Sequence, residues 1–382
     1  VILMKKMFVM GSYGCGNRGD DAILQSICAL FPDWDITAAN GTYEDISKHL
    51  PVRGISCRLN EGFSLSVLGS MIKDSFRILA AIAKSDLLMF GGGSLIHDLT
   101  PYNLPFLYFW QCWAKLLGKK VCYFSMGVGP LKTSFGRSLS KFFLKRADGV
   151  YVRDYRGYGL CEELNITNAV LTADAAFAVK TKNQAQGRTL EELGLKEKEC
   201  FCVTGSQWFK SSNFWNRANM DFSKETEKFA SQIRAVSQEL KLKPVFVPTV
   251  MHDEVLAQNL KAYLEDLDFM IAPSDWNCKQ MAEIVENSKM LLGVRMHSII
   301  FAARQGVPFI ALIYDEKVQQ LLKYLGMEEL ALPLEKADEK TVLEHLKILQ
   351  ENEREISDKL KSITGQLEEK VVKSAKKVSE LS

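Results

Sequence analysis

Residues 290–318 read "MLLGVRMHSIIFAARQGVPFIALIYDEKV". An apolar run of strand length, Met290 to Val294, ends in Arg295 and His297, and a second apolar segment starts at once. Another strand-like run, "PFIALIY", follows and leads into Asp315 and Lys317. Charged groups are costly beside a buried strand unless they are paired or used. Packing alone therefore gives no reason for them.

The same alternation extends outward in both directions. Strand candidates in the first half are "KMFVMGSY", "DITAAN", "DLLMFGGG", "KVCYFSMGV", "GVYVRD" and "AVLTADAAF", with helix-length amphipathic segments between them. A second set reads "FCVTG", "PVFVPTV", "FMIAP", "MLLGV" and "PFIALIY". Strands alternating with helices predict an α/β chain with parallel sheets. The polar stretch "VKTKNQAQGRTLEELGLKEKE" divides the two sets. We therefore expect a Rossmann-like domain over 1–178, a linker over 179–199, a second Rossmann-like domain over 200–334 and a C-terminal helical tail over 335–382. In the tail, Ile356, Leu360, Ile363, Leu367 and Val371 form one apolar stripe, expected to pack on a domain. Ligands of such sheets bind at the strands' carboxyl ends, so two such domains are expected to face a shared cleft.

A net charge of +2, from 48 basic and 46 acidic residues, makes no electrostatic case for nucleic acid. Any anionic ligand must be held by a local cluster. Nine cysteines without a CxxC pair favour buried thiols in a reducing compartment, and "VILMKKMFVM" lacks a signal-peptide cleavage region. A cytoplasmic protein is expected. The longest run without charge, "LTPYNLPFLYFWQCWA" from Leu99 to Ala114, is shorter than the roughly 20 residues needed to span a bilayer. Its aromatic content suits either a core-facing helix or a membrane-surface or carbohydrate contact.

Five stretches carry possible chemistry. In "GSYGCGNRGDDAIL" glycines let the backbone approach a ligand, but two acids at the helix start would repel a pyrophosphate. Asn17 and Asp20 then read acceptor hydroxyls, or else cap the helix in a tight turn. "DLLMFGGGSLIHD" ends a strand in three glycines, followed by His97 as a candidate acceptor contact and Asp98 as a candidate base for an acceptor hydroxyl. Arg153, in "GVYVRDYRGYG", suits a carboxylate or phosphate of the donor, the structural alternative being a salt bridge to Asp154 or Asp174. Arg295, His297 and Lys317 together suit a small dianion, and a histidine of near-neutral pKa can also deliver a proton. "GSQWFKSSNFWNRANMDF" is a long aromatic loop whose Trp208 and Trp215 could stack on sugar rings. No metal-ligand spacing, P-loop or nucleophile elbow occurs, so no metal and no cofactor is expected.

Taken in order, "YGCGNRGDDAIL", "LLMFGGGSLIHD", "FSMGVGP", "VYVRD", "TADAAFAV" and "GVRMHSIIFAARQGVPFIALIYDEKV" resemble the polysaccharide pyruvyl transferase family, up to about Leu325. That resemblance implies a GT-B-like fold. It also implies phosphoenolpyruvate as co-substrate, giving a ketal-linked pyruvyl group to two hydroxyls of a saccharide acceptor. His297 resembles the family's proton donor, and Arg153, Arg295 and Lys317 would hold the donor. Where family members often carry an Arg before the aromatic of the second domain's first loop, this chain has Gln207. Such an enzyme could meet a lipid-linked acceptor at the inner face of the membrane through a peripheral contact. A nucleotide-sugar glycosyltransferase and a non-catalytic carbohydrate-binding subunit are the competing expectations, and no oligomeric state is specified.

Overall fold

The computed structural model describes residues 4–41, 45–57, 65–179, 188–206 and 221–381, with backbone alone over 65–72. The chain divides into two compact units, one of residues 1–180 with 366–382 and one of residues 181–365.

In the first unit the described residues form a seven-stranded parallel sheet. Its strands are β1 (Lys5–Met10), β2 (Trp34–Asn40), β3 (Arg53–Ser56), β4 (Leu87–Gly91), β5 (Lys120–Met126), β6 (Gly149–Val152) and β7 (Ala169–Leu171), in the order β3-β2-β1-β4-β5-β6-β7. β4 is buried along its whole length, as expected for a parallel strand covered by helices on both faces. β3 was not among the sequence candidates. It is an exposed edge strand, "RGIS", without an apolar run. The strand order reverses between β1 and β4, which opens a crevice at their carboxyl ends.

The second unit has six parallel strands, β8 (Cys200–Thr204), β9 (Lys243–Phe246), β10 (Met270–Ile271), β11 (Leu291–Gly293), β12 (Phe309–Ile313) and β13 (Ala331–Pro333). Their order is β10-β9-β8-β11-β12-β13, so this sheet reverses between β8 and β11. β13 is three residues long and carries too little pattern to be read from sequence.

Two expected boundaries move. The linker is shorter than 179–199, because a helix at Arg188–Glu192 belongs to the second unit. Leu190 and Leu195 are buried there, and Trp276 Nε1 donates to Glu192 Oε2 at 2.7 Å. Nor does the tail pack on one domain. Helix Glu339–Glu351 packs on helix Phe222–Leu240, whereas the division between units falls inside helix Glu353–Ser379. From Gln366 onward that helix belongs to the first unit, where Ser374 Oγ donates to Thr172 Oγ1 at 2.9 Å. Burial of Leu367 and Val371 explains the split, since the apolar stripe serves both cores in turn.

Helix Arg18–Leu30 lies close against the end of β4. A Cβ on Gly92 would stand 2.3 Å from Ile23 Cγ2, and Gly92 has φ +66°. Gly92→Ala should therefore cost roughly 2–5 kcal/mol from left-handed strain and overpacking. Urea denaturation reads this directly, and a loss below about 0.5 kcal/mol, the usual surface value, would contradict it.

Candidate functional site

The two strand-order reversals present different chemistry. In the second unit, β11 leads into helix Met296–Gln305 through Arg295, whose extended backbone forms the N-cap without any side-chain capping bond. Arg295 carries no acceptor with which to cap the first amides itself, and the dipole of the helix favours an anion at this end. Ser298 Oγ donates to the Arg295 carbonyl at 2.7 Å and lies 2.8 Å from Thr204 Oγ1, tying the helix start to the end of β8.

Arg295 is held from below. Its Nε donates to the Gly205 carbonyl at 3.3 Å and to Asp253 Oδ2 at 3.2 Å, and its Nη2 donates to Asp253 Oδ1. The Asp253 side chain is 1% exposed and that of Arg295 23%, so the carboxylate lies beneath the guanidinium. Val250 N donates to Asp253 Oδ2 at 3.0 Å and fixes the acid in turn. Burial alone would lower the Arg295 pKa, but Asp253 and then Tyr314 outweigh it, and the guanidinium stays charged. Tyr314 is pushed above its ordinary range by burial, against the pull of Arg295.

His297 is the second residue of the helix, half-buried, with Nε2 shielded from solvent. Lys317 is exposed on the first turn of helix Glu316–Leu325, after β12, the neighbour of β11. Asp315 caps that helix by accepting from Lys317 N at 2.7 Å. Arg295, Tyr314 and His297 are thus gathered at adjacent strand ends.

At the first unit's reversal the helix start is already occupied. Asn17 caps helix Arg18–Leu30, accepting from Gly19 N at 3.1 Å while its Nδ2 donates to Asp20 Oδ2 at 2.8 Å. Asp21 Oδ1 accepts from Gly14 N at 2.9 Å. The capping reading of this loop is the one these bonds show, and the capping residues follow the carboxyl end of β1. Asp20 lies near the Gly91–Gly93 turn, where a Cβ on Gly93 would be 3.5 Å from its Oδ1. Carboxylate and amide oxygens in this place suit hydroxyl donors and disfavour a phosphate.

Two expected site residues have other work. Arg153 Nη1 donates to Asp174 Oδ2 at 2.7 Å, its Nη2 to Ser94 Oγ at 3.0 Å, and its Nε stands 3.7 Å from Asp154. Both side chains of the Arg153–Asp174 pair are 6% exposed. Burial would lower the Arg153 pKa, yet Asp174 and Asp154 raise it overall. Its charge is balanced within its own unit, so it holds the glycine turn through Ser94 rather than a donor. Asp98, expected as a base, accepts from Lys132 N at 2.8 Å, Thr133 N at 2.6 Å and Thr133 Oγ1 at 2.7 Å. Burial pushes its carboxyl up, but these bonds outweigh it and leave the pKa below the ordinary value. That makes Asp98 a poor proton acceptor and a staple for the loop before helix Ser134–Leu144.

His97 Nδ1 accepts from Leu99 N at 3.3 Å, and Asn103 Nδ2 donates to the His97 carbonyl at 3.1 Å. Trp208 and Trp215 lie outside the described residues. Sequence reading missed Asp253 and Ser94 as partners of the two arginines. For Asp253 the sequence offers only an acid just after a strand, in "TVMHDE", and β8 stands between that strand and the one that ends at Arg295.

Removing the Asp253 carboxylate with Asp253→Ala should destabilise the protein by about 3–5 kcal/mol, because it leaves Arg295 uncompensated. Chemical denaturation tests this, and a change within experimental error would contradict the pairing. For Asp98 the folded pKa is depressed, so its stabilisation is present above the unfolded value of about 3.9 and disappears as pH falls through the folded value. The gap in melting temperature between the wild type and Asp98→Asn should therefore be full at neutral pH and close in acid. A gap that does not change with pH would contradict this.

Comparison with known proteins places these features. Across 93% of this chain and 94% of its own length, the amylovoran biosynthesis protein AmsJ of Erwinia amylovora is similar at 22% identity. Among solved structures, Anabaena HepE in complex with UDP and glucose matches at a TM-score of 0.60, 12% identity and 98% of both chains. A UDP-N-acetylglucosamine 2-epimerase from Listeria monocytogenes, described as putative in its own structure, matches at a TM-score of 0.60 and 12% identity over 94% of this chain and 91% of its own. At such identities these structures speak to fold alone, which is GT-B-like and built of two Rossmann-like domains. The family description "Polysaccharide pyruvyl transferase" matches residues 17–316, a span that runs from Asn17, after β1, through the helix that starts at Met296, and the chain belongs to that family.

Proposed function

We propose that the protein transfers a pyruvyl group from phosphoenolpyruvate to two hydroxyls of a sugar, in a cell-surface polysaccharide or its lipid-linked precursor. The observation that carries this is the charged Arg295, backed by buried Asp253, leading directly into the start of a helix that bears His297. Phosphoenolpyruvate is small and carries a carboxylate and a phosphate. A fixed guanidinium, the positive end of a helix dipole and Lys317 after the neighbouring strand suit both groups.

In this reading His297 gives its proton to C3 of the enol, and C2 becomes electron-poor. A sugar hydroxyl adds to C2 and loses its proton, which restores His297. The C2–O bond to phosphate then breaks and phosphate departs. A second hydroxyl closes on C2, and its proton leaves with the phosphate. One carbon–oxygen bond is lost and two are gained, and the former methylene is a methyl group. Asn17, Asp20 and His97 of the first unit are assigned to the acceptor's hydroxyls.

Incubation of the full chain with phosphoenolpyruvate and a panel of glycosides and lipid-linked saccharides should release phosphate. Arg295→Gln should abolish the thermal shift given by phosphoenolpyruvate. His297→Gln should keep that shift and lose phosphate release by roughly 10²–10⁴-fold, the usual worth of a positioned proton donor. Unchanged turnover in His297→Gln would reject its role. A thermal shift with a uridine diphosphate sugar and none with phosphoenolpyruvate would replace the donor with a nucleotide sugar.

A further inference from the structure

From Leu99 to Ala147 the chain has eight Lys or Arg residues and no Asp or Glu, in a protein whose net charge is only +2. Helices Asn103–Leu116 and Ser134–Leu144 connect β4 to β5 and β5 to β6, which are successive neighbours in the sheet. Right-handed crossovers place both on the same face. They pack side by side, with Tyr108 and Phe143 stacked at 4.3 Å between ring centroids and Gln111 Nε2 donating to the Phe143 carbonyl at 2.9 Å.

The first helix is apolar on both sides. Leu104, Leu107, Trp110 and Ala114 are buried toward the sheet, yet Phe109 is 50% exposed and Leu116 76%, with Trp113 also exposed. From the second helix Phe135, 68% exposed, and Phe142 point outward seven residues apart. A helix on an ordinary soluble surface carries polar residues there. Clustered large apolar side chains in contact with water mark an interaction surface.

The charges around these rings say what kind of surface they meet. Asp148 takes Lys115 and Lys120, and Glu163 takes Arg137, at 2.5, 3.5 and 2.8 Å. Lys119, Lys132, Lys141 and Lys145 form no ion pair among the described residues. Arg146 lies over the Phe142 ring, 3.5 Å from its centroid, so a cation and an aromatic face are presented together. A protein interface typically loses charge at its centre. Interleaved lysines and aromatic rings instead match a layer that is apolar beneath and anionic on top.

We propose that this face docks on a bilayer carrying anionic phospholipids. The rings of Phe109, Trp113, Phe135 and Phe142 enter the boundary between headgroups and acyl chains, and the lysines meet phosphate headgroups. Helix Asn103–Leu116 has 14 residues, against roughly 20 for a span, so it lies in the interface plane. This inference stands on the surface alone and does not depend on the identity of the donor.

The test is co-sedimentation of the full chain with phosphatidylcholine vesicles and with vesicles that also contain phosphatidylglycerol. Binding to the anionic vesicles should be about tenfold greater at low salt and fall as salt screens the lysines. Brominated acyl chains should quench part of the tryptophan fluorescence. Phe109→Ser with Trp113→Ser, and separately Lys141→Glu with Lys145→Glu, should each lower binding at least about fivefold in protein that circular dichroism shows to be folded, since Phe109 is 50% and Trp113 37% exposed. Equal, negligible sedimentation with both vesicles, or binding that neither variant pair changes, would overturn the proposal. So would a dimer in ultracentrifugation, lost in Phe109→Ser with Trp113→Ser and accompanied by no vesicle binding, which would assign the face to a second copy.

Discussion

A guanidinium at the end of a buried strand needs a carboxylate beneath it, and Asp253 gives Arg295 that partner. The first unit meets the same constraint with Arg153 and Asp174 at the end of β6. Buried ion pairs of this kind are close to neutral for stability, because desolvation cancels much of the attraction. Their worth lies in position. A guanidinium clamped by two contacts to one acid loses little further entropy when an anion arrives.

The two pairs differ in what surrounds them. Arg153 is enclosed by Asp174, Asp154 and Ser94, so its charge is used up in fixing the turn after β4. Among the described residues Arg295 pairs with one carboxylate, and it stands at a helix start that its own side chain does not cap. At the corresponding place in the first unit, Asn17 caps the helix and Asp20 and Asp21 fill its first turn. One sheet end therefore favours an anion and the other favours hydroxyls.

Much of this was legible in the sequence because parallel strands buried on both faces read as continuous apolar runs. β3 and β13 escaped because an exposed edge strand and a three-residue strand have no such run. Arg295 stands out in the sequence because charge at a strand end is costly without a partner, and Asp253 is that partner. Asp253 could not be found, since its partner is 42 residues away and only the sheet order brings them together. Asp98 was misread for the related reason that a loop carboxylate looks like a base until the amides of Lys132 and Thr133 are seen to occupy it. The tail's apolar stripe was visible, but nothing in its period tells which core each half enters.

The basic, aromatic helix layer belongs to the first unit, while Arg295 and His297 lie at a sheet end of the second. The central claim concerns that second site, where a proton is delivered to the carbon of an enol. It is tested most directly by running the transfer from phosphoenolpyruvate in deuterium oxide and reading the product by NMR. Protonation at C3 gives a pyruvyl methyl group with one deuterium. A methyl without deuterium, or a product that carries a sugar instead of a pyruvyl ketal, would contradict it.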